Sequence, residues 1–152
     1  MLVILDTNIF VSYLLAIPPG SAGVIQIVDA AFEGVFTLLL PEEQISEMRR
    51  AIVANPYLRT RIADEDLESF VDALIVAGHI VPALKSVPEA VTRDPKDDYL
   101  LATAVMANAD VLGTGDRDLL ELRDLLASPA IMTVAEFLQS IDLASSGRNV
   151  SS

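Results

Sequence analysis

The chain has no cysteine and no tryptophan, and a single histidine, His79, among its 152 residues. Without cysteine there are no disulfides, no thiol nucleophiles and no cysteine-ligated zinc sites. A Ser-His triad would have to use His79, which stands in no matching motif, so we expect this histidine to be structural or exposed. Hydrophobic residues make up 52 % of the chain and must supply the core by themselves.

Basic residues and long apolar runs are also scarce. Ten lysines and arginines stand against 22 acids, which gives a net charge of −12. This charge disfavours simple binding to a phosphate backbone and suits acids that hold divalent cations, or a basic partner protein. The longest apolar runs, such as 35–40 and 100–107, are too short to span a bilayer, and the N-terminus lacks a basic signal-peptide segment. We therefore expect a soluble, cytoplasmic protein that does not enter a membrane.

Short aliphatic runs alternate with amphipathic segments along the chain. The aliphatic runs predict strands at residues 2–5, 35–40, 79–83, 110–114 and 130–133. The segments between them predict helices at 9–16, 22–33, 41–52, 64–77, 97–108, 116–126 and 134–141. Such alternation is typical of a three-layer α/β/α domain with a mainly parallel sheet. We expect one domain over 1–142 and a disordered tail over 143–152, where the residues are small and polar.

Four acids occupy places where a parallel sheet gathers its ligands. Asp6 and Asp116 follow predicted strands, Asp98 lies in the first turn of a helix, and Glu47 borders the apolar face of another. Ligands bind beyond the carboxyl ends of the strands in such sheets. Converging carboxylates repel one another, and Mg²⁺ or Mn²⁺ relieves the repulsion because hard cations take oxygen ligands. A cation held there could activate water for attack on a phosphodiester.

A simpler explanation covers part of this pattern. The stretch "DPKDD" (94–98) is a good helix start, because Pro95 suits the first turn and the helix dipole favours acids there. An isolated acid at a strand end or helix start is more often a cap or a solvated group than a ligand. The joint placement of four acids is what points to a metal site.

The chain resembles PIN-domain proteins and, among them, the bacterial VapC-like group of toxin components. The resemblance rests on "VILDTNIFVSYLL", "PEEQISEMRRAI", "RDPKDDYLLATA" and "LGTGDRDLL", which follow the family order over about residues 1–140. "DTN" is a weak signal alone, but together with "RDPxDD" and "TGDxDLL" it is specific. The resemblance implies a PIN-like domain with a five-stranded sheet in the order 3-2-1-4-5. It also implies a Mg²⁺- or Mn²⁺-dependent endoribonuclease with an RNA substrate, an antitoxin partner and a homodimeric state.

The family motifs divide the acids into ligands and supporting groups. The resemblance assigns both catalysis and metal binding to Asp6, Glu47, Asp98 and Asp116. Glu42 and Glu43 are alternative matches for the helix acid. Supporting residues, which add charge or orient the acids, are Thr7, Asn8, Asp94, Asp97, Thr114 and Asp118.

A local cluster of bases is the candidate RNA contact. Four of the ten bases lie within thirteen residues, and the candidates are Arg49, Arg50, Tyr57, Arg59 and Arg61. A basic rim would bind phosphates, and an aromatic ring could stack on a base. The alternative is a solvated helix face, with acids such as Glu47 and Asp64 nearby.

Two other functions fit part of the sequence. A binding module with the same fold would act through protein partners with little turnover, which suits the acidic surface but not the retention of all four acids. A phosphatase with a covalent aspartyl-phosphate typically needs a second aspartate two residues after the first, where this chain has Asn8. Metal-stimulated cleavage of a mixed RNA pool separates the nuclease from the binding module.

Overall fold

A computed structural model describes residues 1–15, 22–83 and 95–151, with the side chains of 1–15, 22–83 and 99–142. The strands are β1 (Leu2–Leu5), β2 (Thr37–Pro41), β3 (His79–Val81), β4 (Val111–Gly113) and β5 (Ala130–Met132). The helices of the described residues are α1 (Thr7–Leu15), α2 (Ala22–Phe32), α3 (Glu42–Ala54), α4 (Pro56–Arg61), α5 (Asp64–Ala77), α6 (Pro95–Met106), α7 (Arg117–Leu120) and α8 (Val134–Ser151).

The strands form one parallel sheet in the order β3-β2-β1-β4-β5. The predicted order is therefore confirmed, with β1 at the centre between β2 and β4. Parallel strands bring all five carboxyl ends to one edge of the sheet, which we call the carboxyl edge. Asp6 directly follows β1, and α3 begins directly after β2 at the same edge.

Alternation along the strands divides the core between the two faces of the sheet. Val3 and Leu5 of β1 belong to one buried cluster, together with residues of α1, α2, α3, α5 and α8. Ile4, which points to the opposite face, belongs to a second cluster with residues of α6 and α7. Each fully buried aliphatic or aromatic side chain contributes about 1.5–3 kcal/mol. Helices on both faces of a parallel sheet confirm the predicted three-layer architecture.

Local signals explain where several helices begin and end. The side chain of Asn55 accepts hydrogen bonds from the backbone N–H groups of Tyr57 and Leu58, and so caps α4. Thr133 and Glu136 each accept a hydrogen bond from the other's backbone N–H, which forms a capping box at the start of α8. Gly34 ends α2 with a φ of +76°, a conformation that glycine adopts at little cost.

Several predicted boundaries were wrong. The helix predicted over 116–126 is only α7, and turns follow it because Leu122 and Leu125 donate to carbonyls three residues back. An additional helix, α4, forms where the sequence showed only a break. The backbone of 143–151 continues α8, where composition predicts disorder, and the proposed domain limits stay a prediction. Within the described residues no helix is long and apolar enough to cross a membrane.

Candidate active site

Asp6 is held at the centre of the carboxyl edge. Its backbone N–H donates to the carbonyl of Gly113 in β4 at 2.8 Å, and the residue is only 5 % exposed. A Cβ atom at Gly113 would lie 2.9 Å from Cδ2 of Leu5, so a larger residue there would require the side chain of Leu5 to shift. The end of β1 is therefore fixed against β4, and the carboxylate of Asp6 is fixed with it.

A buried hydroxyl group connects Asp6 to Asp116. Oγ1 of Thr114 donates to Oδ2 of Asp6 at 2.7 Å and accepts from the backbone N–H of Asp116 at 2.9 Å. Because a hydroxyl has one proton, donation to Asp6 leaves its lone pairs for the N–H of Asp116. Asp116 in turn caps α7, since its Oδ1 accepts from the N–H of Asp118 at 2.8 Å. The structure thus brings together three predicted site residues and caps the helix that carries Asp118.

The surroundings of Asp6 penalise its negative charge. Burial is the largest influence and raises the pKa of Asp6, and the carboxylate of Asp116 raises it further. Hydrogen bonds from Thr114 and from the backbone N–H groups of Asn8 and Thr7 oppose this shift. Neither of the two ion pairs among the described side chains involves Asp6 or Asp116. A buried oxygen ligand with an acidic neighbour fits a divalent cation, which would offset the repulsion.

Two helices bring further candidate residues to this region. Tyr99, which directly follows Asp98 in α6, accepts a hydrogen bond at its hydroxyl from the backbone N–H of Glu43 in α3, at 3.2 Å. Burial raises the pKa of Tyr99 to about 12, and the charges of Glu43 and Glu47 contribute to the increase. Glu47 is half-buried. The turn of α6 that contains Asp98 therefore lies against the start of α3, the helix that bears Glu47.

Gln44 is a site residue that the sequence interpretation missed. It is 1 % exposed, and its Nε2 donates to the carbonyl of Leu5 at 2.6 Å and to Oγ1 of Thr7 at 3.3 Å. These acceptors flank Asp6 in the chain. The signal was present, because Gln44, Met48 and Ile52 recur every four residues and all three are buried.

The other predicted supporting residues differ in how far the structure describes them. Asn8 is exposed, and its backbone N–H donates to Oδ1 of Asp6 at 3.3 Å. Asp94 lies outside the described residues, and Asp97 and Asp98 are described only as backbone in the first turn of α6. Among the described side chains no group of three or more acids or histidines could hold a metal ion. The four-acid ligand set therefore stays a prediction.

The candidate RNA contacts lie along α3 and α4. Arg49 forms an ion pair with Glu68 at 2.9 Å, and the guanidinium of Arg61 lies 3.5 Å from the ring centre of Tyr57. Arg50 and Arg59 are exposed. Because α3 rises about 1.5 Å per residue, its end lies roughly 18 Å from its start at the carboxyl edge.

Comparisons with known proteins agree with this architecture. A family model described as "PIN domain" matches residues 2–118. The fold is similar to a chain in the crystal structure of VapBC2 from Rickettsia felis bound to a DNA fragment from their promoter. The two chains share 14 % sequence identity with a TM-score of 0.59, over 88 % of this chain and 98 % of that chain. A search of curated proteins found no match. Since the family model extends over most of the sequence, from β1 to α7, the chain belongs to the PIN-domain family.

Proposed function

We propose that this protein is an endoribonuclease that hydrolyses RNA phosphodiester bonds with the help of Mg²⁺ or Mn²⁺. The observation that supports this most directly is the buried Asp6–Thr114–Asp116 network at the carboxyl edge. It joins two acidic residues through a hydroxyl group, in surroundings that disfavour an uncompensated carboxylate. Membership in the PIN-domain family supports the same reaction, because PIN domains are generally nucleases that use divalent metals.

Each residue of the site has a distinct part in this proposal. Asp6, Asp98 and Asp116 would be the main metal ligands, and Glu47 would complete the set directly or through water. The cation, when bound, polarises the phosphate and activates water. Thr114 orients Asp6 and opposes the effect of burial on its pKa, because the hydroxyl proton is donated to Oδ2. All four acids supply carboxylate oxygens, which are the ligands that a hard cation prefers.

The remaining predicted residues would support binding and orientation. Thr7 and Asn8 at the start of α1, and Asp118 at the start of α7, belong to the hydrogen-bond network around Asp6 and Asp116. Asp94 and Asp97 would add negative charge near the start of α6. Arg49, Arg50, Tyr57, Arg59 and Arg61 would contact the RNA backbone or bases along α3 and α4.

We further propose that the protein acts as a VapC-like toxin. The fold similarity to a chain of the VapBC2 complex supports an antitoxin partner of the same kind. By analogy with the family, we also propose a cytoplasmic location and a homodimeric state. An alternative is a PIN-like binding module with little turnover, which the net charge of −12 favours.

The reaction is tested with the Asp6→Asn and Asp98→Asn variants of the full chain. Both should lose Mn²⁺-dependent cleavage of a mixed RNA pool while keeping the far-UV circular dichroism of the wild type. Asp110→Asn is a matched control, because Asp110 accepts a hydrogen bond from the backbone N–H of Leu2 at the opposite edge of the sheet. It should cleave like the wild type.

Two outcomes would contradict the proposal in different ways. Undiminished cleavage by both purified active-site variants would exclude the assigned ligands. A wild-type protein that binds an antitoxin but cleaves no RNA at any Mn²⁺ concentration would favour the binding module.

A further inference from the structure

Gln44 connects helix α3 to both neighbours of Asp6. Its amide nitrogen donates to the carbonyl oxygen of Leu5 and to the hydroxyl oxygen of Thr7, the residues immediately before and after Asp6. A backbone carbonyl can only accept a hydrogen bond, so the nitrogen and not the oxygen of the amide must face Leu5. The orientation of the amide is therefore determined by these two acceptors.

Packing alone does not explain a glutamine at this position. Oε1 of Gln44 is buried and has no hydrogen-bond partner among the described residues. A buried polar atom without a partner lowers stability, whereas an apolar side chain of similar size would fill the same space without this penalty. Residues that depart from such local rules are expected where function requires them. What glutamine provides here, and an apolar residue would not, is the pair of hydrogen bonds donated to Leu5 and Thr7.

The position of Gln44 in α3 links two acids of the proposed metal site. Glu47 follows three residues later, so the two side chains are neighbours along the helix. We propose that Gln44 is a positioning residue, which fixes the chain around Asp6 relative to the helix that bears Glu47. This inference rests on the proposed metal-dependent nuclease. Gln44 itself touches neither the cation nor the RNA in this scheme.

The test replaces Gln44 with methionine in the full chain. Gln44→Met keeps the length and approximate volume of the side chain but removes the amide donor. The dissociation constant for Mn²⁺, measured by calorimetry, should rise by about 10- to 100-fold, the usual effect of losing a group that orients a metal ligand. At limiting Mn²⁺, the rate at which a labelled RNA is cleaved should fall. At saturating Mn²⁺, the KM for that RNA should change by less than about twofold. The melting temperature should fall only modestly, because removal of the orphaned Oε1 offsets part of the penalty of leaving the carbonyl of Leu5 without its donor.

Two further variants make the result decisive. Met48→Leu alters a buried side chain of the same helix without changing a side-chain hydrogen bond, and it should match the wild type. Gln44→Asn keeps an amide but shortens its reach, so it should also lose Mn²⁺ affinity, and it decides the matter if the methionine variant does not fold.

The failure of this inference can be distinguished from the failure of the proposed function. If the wild type binds Mn²⁺ and cleaves RNA while the folded Gln44 variants do so equally well, the positioning role is wrong. A purely structural role for Gln44 would lower Mn²⁺ affinity, RNA affinity and melting temperature together. A large loss of all three would therefore also overturn the positioning role. If the wild type itself neither binds Mn²⁺ nor cleaves RNA, the proposed function fails, and the inference fails with it.

Discussion

Burial makes the ionised form of Asp6 unfavourable in the folded protein when no cation is bound. Burial, above all, raises the pKa of this carboxyl from the ordinary value of 3.8. The folded state therefore holds the proton more tightly than the unfolded chain does. The favourable contribution to stability is fully present below pH 3.8 and is lost as the pH rises through the folded-state pKa. At neutral pH the ionised carboxylate opposes folding, and a bound cation would reverse that effect.

The Asp6→Asn variant should therefore be more stable than the wild type at pH 7 in EDTA, and the difference should shrink as the pH is lowered towards 4. Mn²⁺ at a hundred times its dissociation constant should stabilise the wild type by about 2.7 kcal/mol, roughly 5–10 °C in melting temperature, and should leave the variant unchanged. Differential scanning calorimetry in EDTA and in Mn²⁺ measures both effects. A variant less stable than the wild type in EDTA would show that Asp6 is not a penalised charge.

Residues that follow strands or match family motifs could be predicted from the sequence, whereas residues whose role depends on packing between elements could not. Asp6 and Asp116 follow strands and match family motifs, and in the structure the hydroxyl of Thr114 is hydrogen-bonded to both residues. Gln44 lies within the stretch "PEEQISEMRRAI" but is not one of its acids, and glutamine at a helix position is usually exposed. Its burial depends on how α3 packs against β1, which the one-dimensional pattern does not contain.

The phenol of Tyr99 connects helices α3 and α6 at the carboxyl edge. The hydroxyl of Tyr99 in α6 accepts from the backbone N–H of Glu43, in the first turn of α3. N–H groups in the first turn of a helix have no partner within the helix, so this contact satisfies one of them. The pairing fixes the beginnings of the two helices that bear Glu47 and Asp98.

Tyr99→Phe should lower the free energy of unfolding by about 0.5–1.5 kcal/mol, since the ring packing is kept and one hydrogen bond is lost. The difference should persist up to pH 10, because the pKa of Tyr99 is raised to about 12 and the phenol stays neutral. It should diminish above pH 10, as the pH approaches the folded-state pKa. Urea unfolding at several pH values measures this. Tyr57→Phe is the control, because Tyr57 is 49 % exposed and its hydroxyl has no hydrogen bond within the described residues. An equal loss of unfolding free energy in both variants would contradict the prediction.

The strands and the long helices could be predicted from the sequence, whereas the short helices α4 and α7 could not. The first strand and the helix over 64–77 have the predicted limits because continuous apolar runs and regular spacing define them. The segment after Asp116 contains helix-forming residues throughout, yet only α7 is helical. There the N–H groups of Leu122, Arg123 and Leu125 donate to carbonyls three residues back, which gives tighter turns. Arg123 also bonds to the carbonyl of Leu120 and to Glu136 of α8, contacts that no local pattern specifies.

Over the whole molecule, positive charge is concentrated on α3 and α4 of a strongly acidic protein. The net charge is −12, and four of the ten bases lie between Arg49 and Arg61. Arg49 is paired with Glu68, but both side chains are substantially exposed, so the pair contributes little to stability. These arginines can therefore exchange their present contacts for phosphate at little cost. Binding of RNA along α3 and α4 would be local, with the rest of the surface repelling the RNA backbone.

RNA binding by the cleavage-deficient Asp6→Asn protein should consequently depend on salt through a few arginines. Arg50→Ala and Arg59→Ala should each weaken binding of a single-stranded RNA and reduce the slope of log affinity against log salt by about 0.7, the value for one lost phosphate contact. Fluorescence anisotropy from about 50 to 200 mM KCl measures the slope. Arg123→Ala removes an equally exposed arginine that pairs with Glu136 elsewhere on the surface, and it should leave the slope unchanged. If all three variants give the wild-type slope, the arginines of α3 and α4 form a solvated face, and the RNA is bound by another part of the protein.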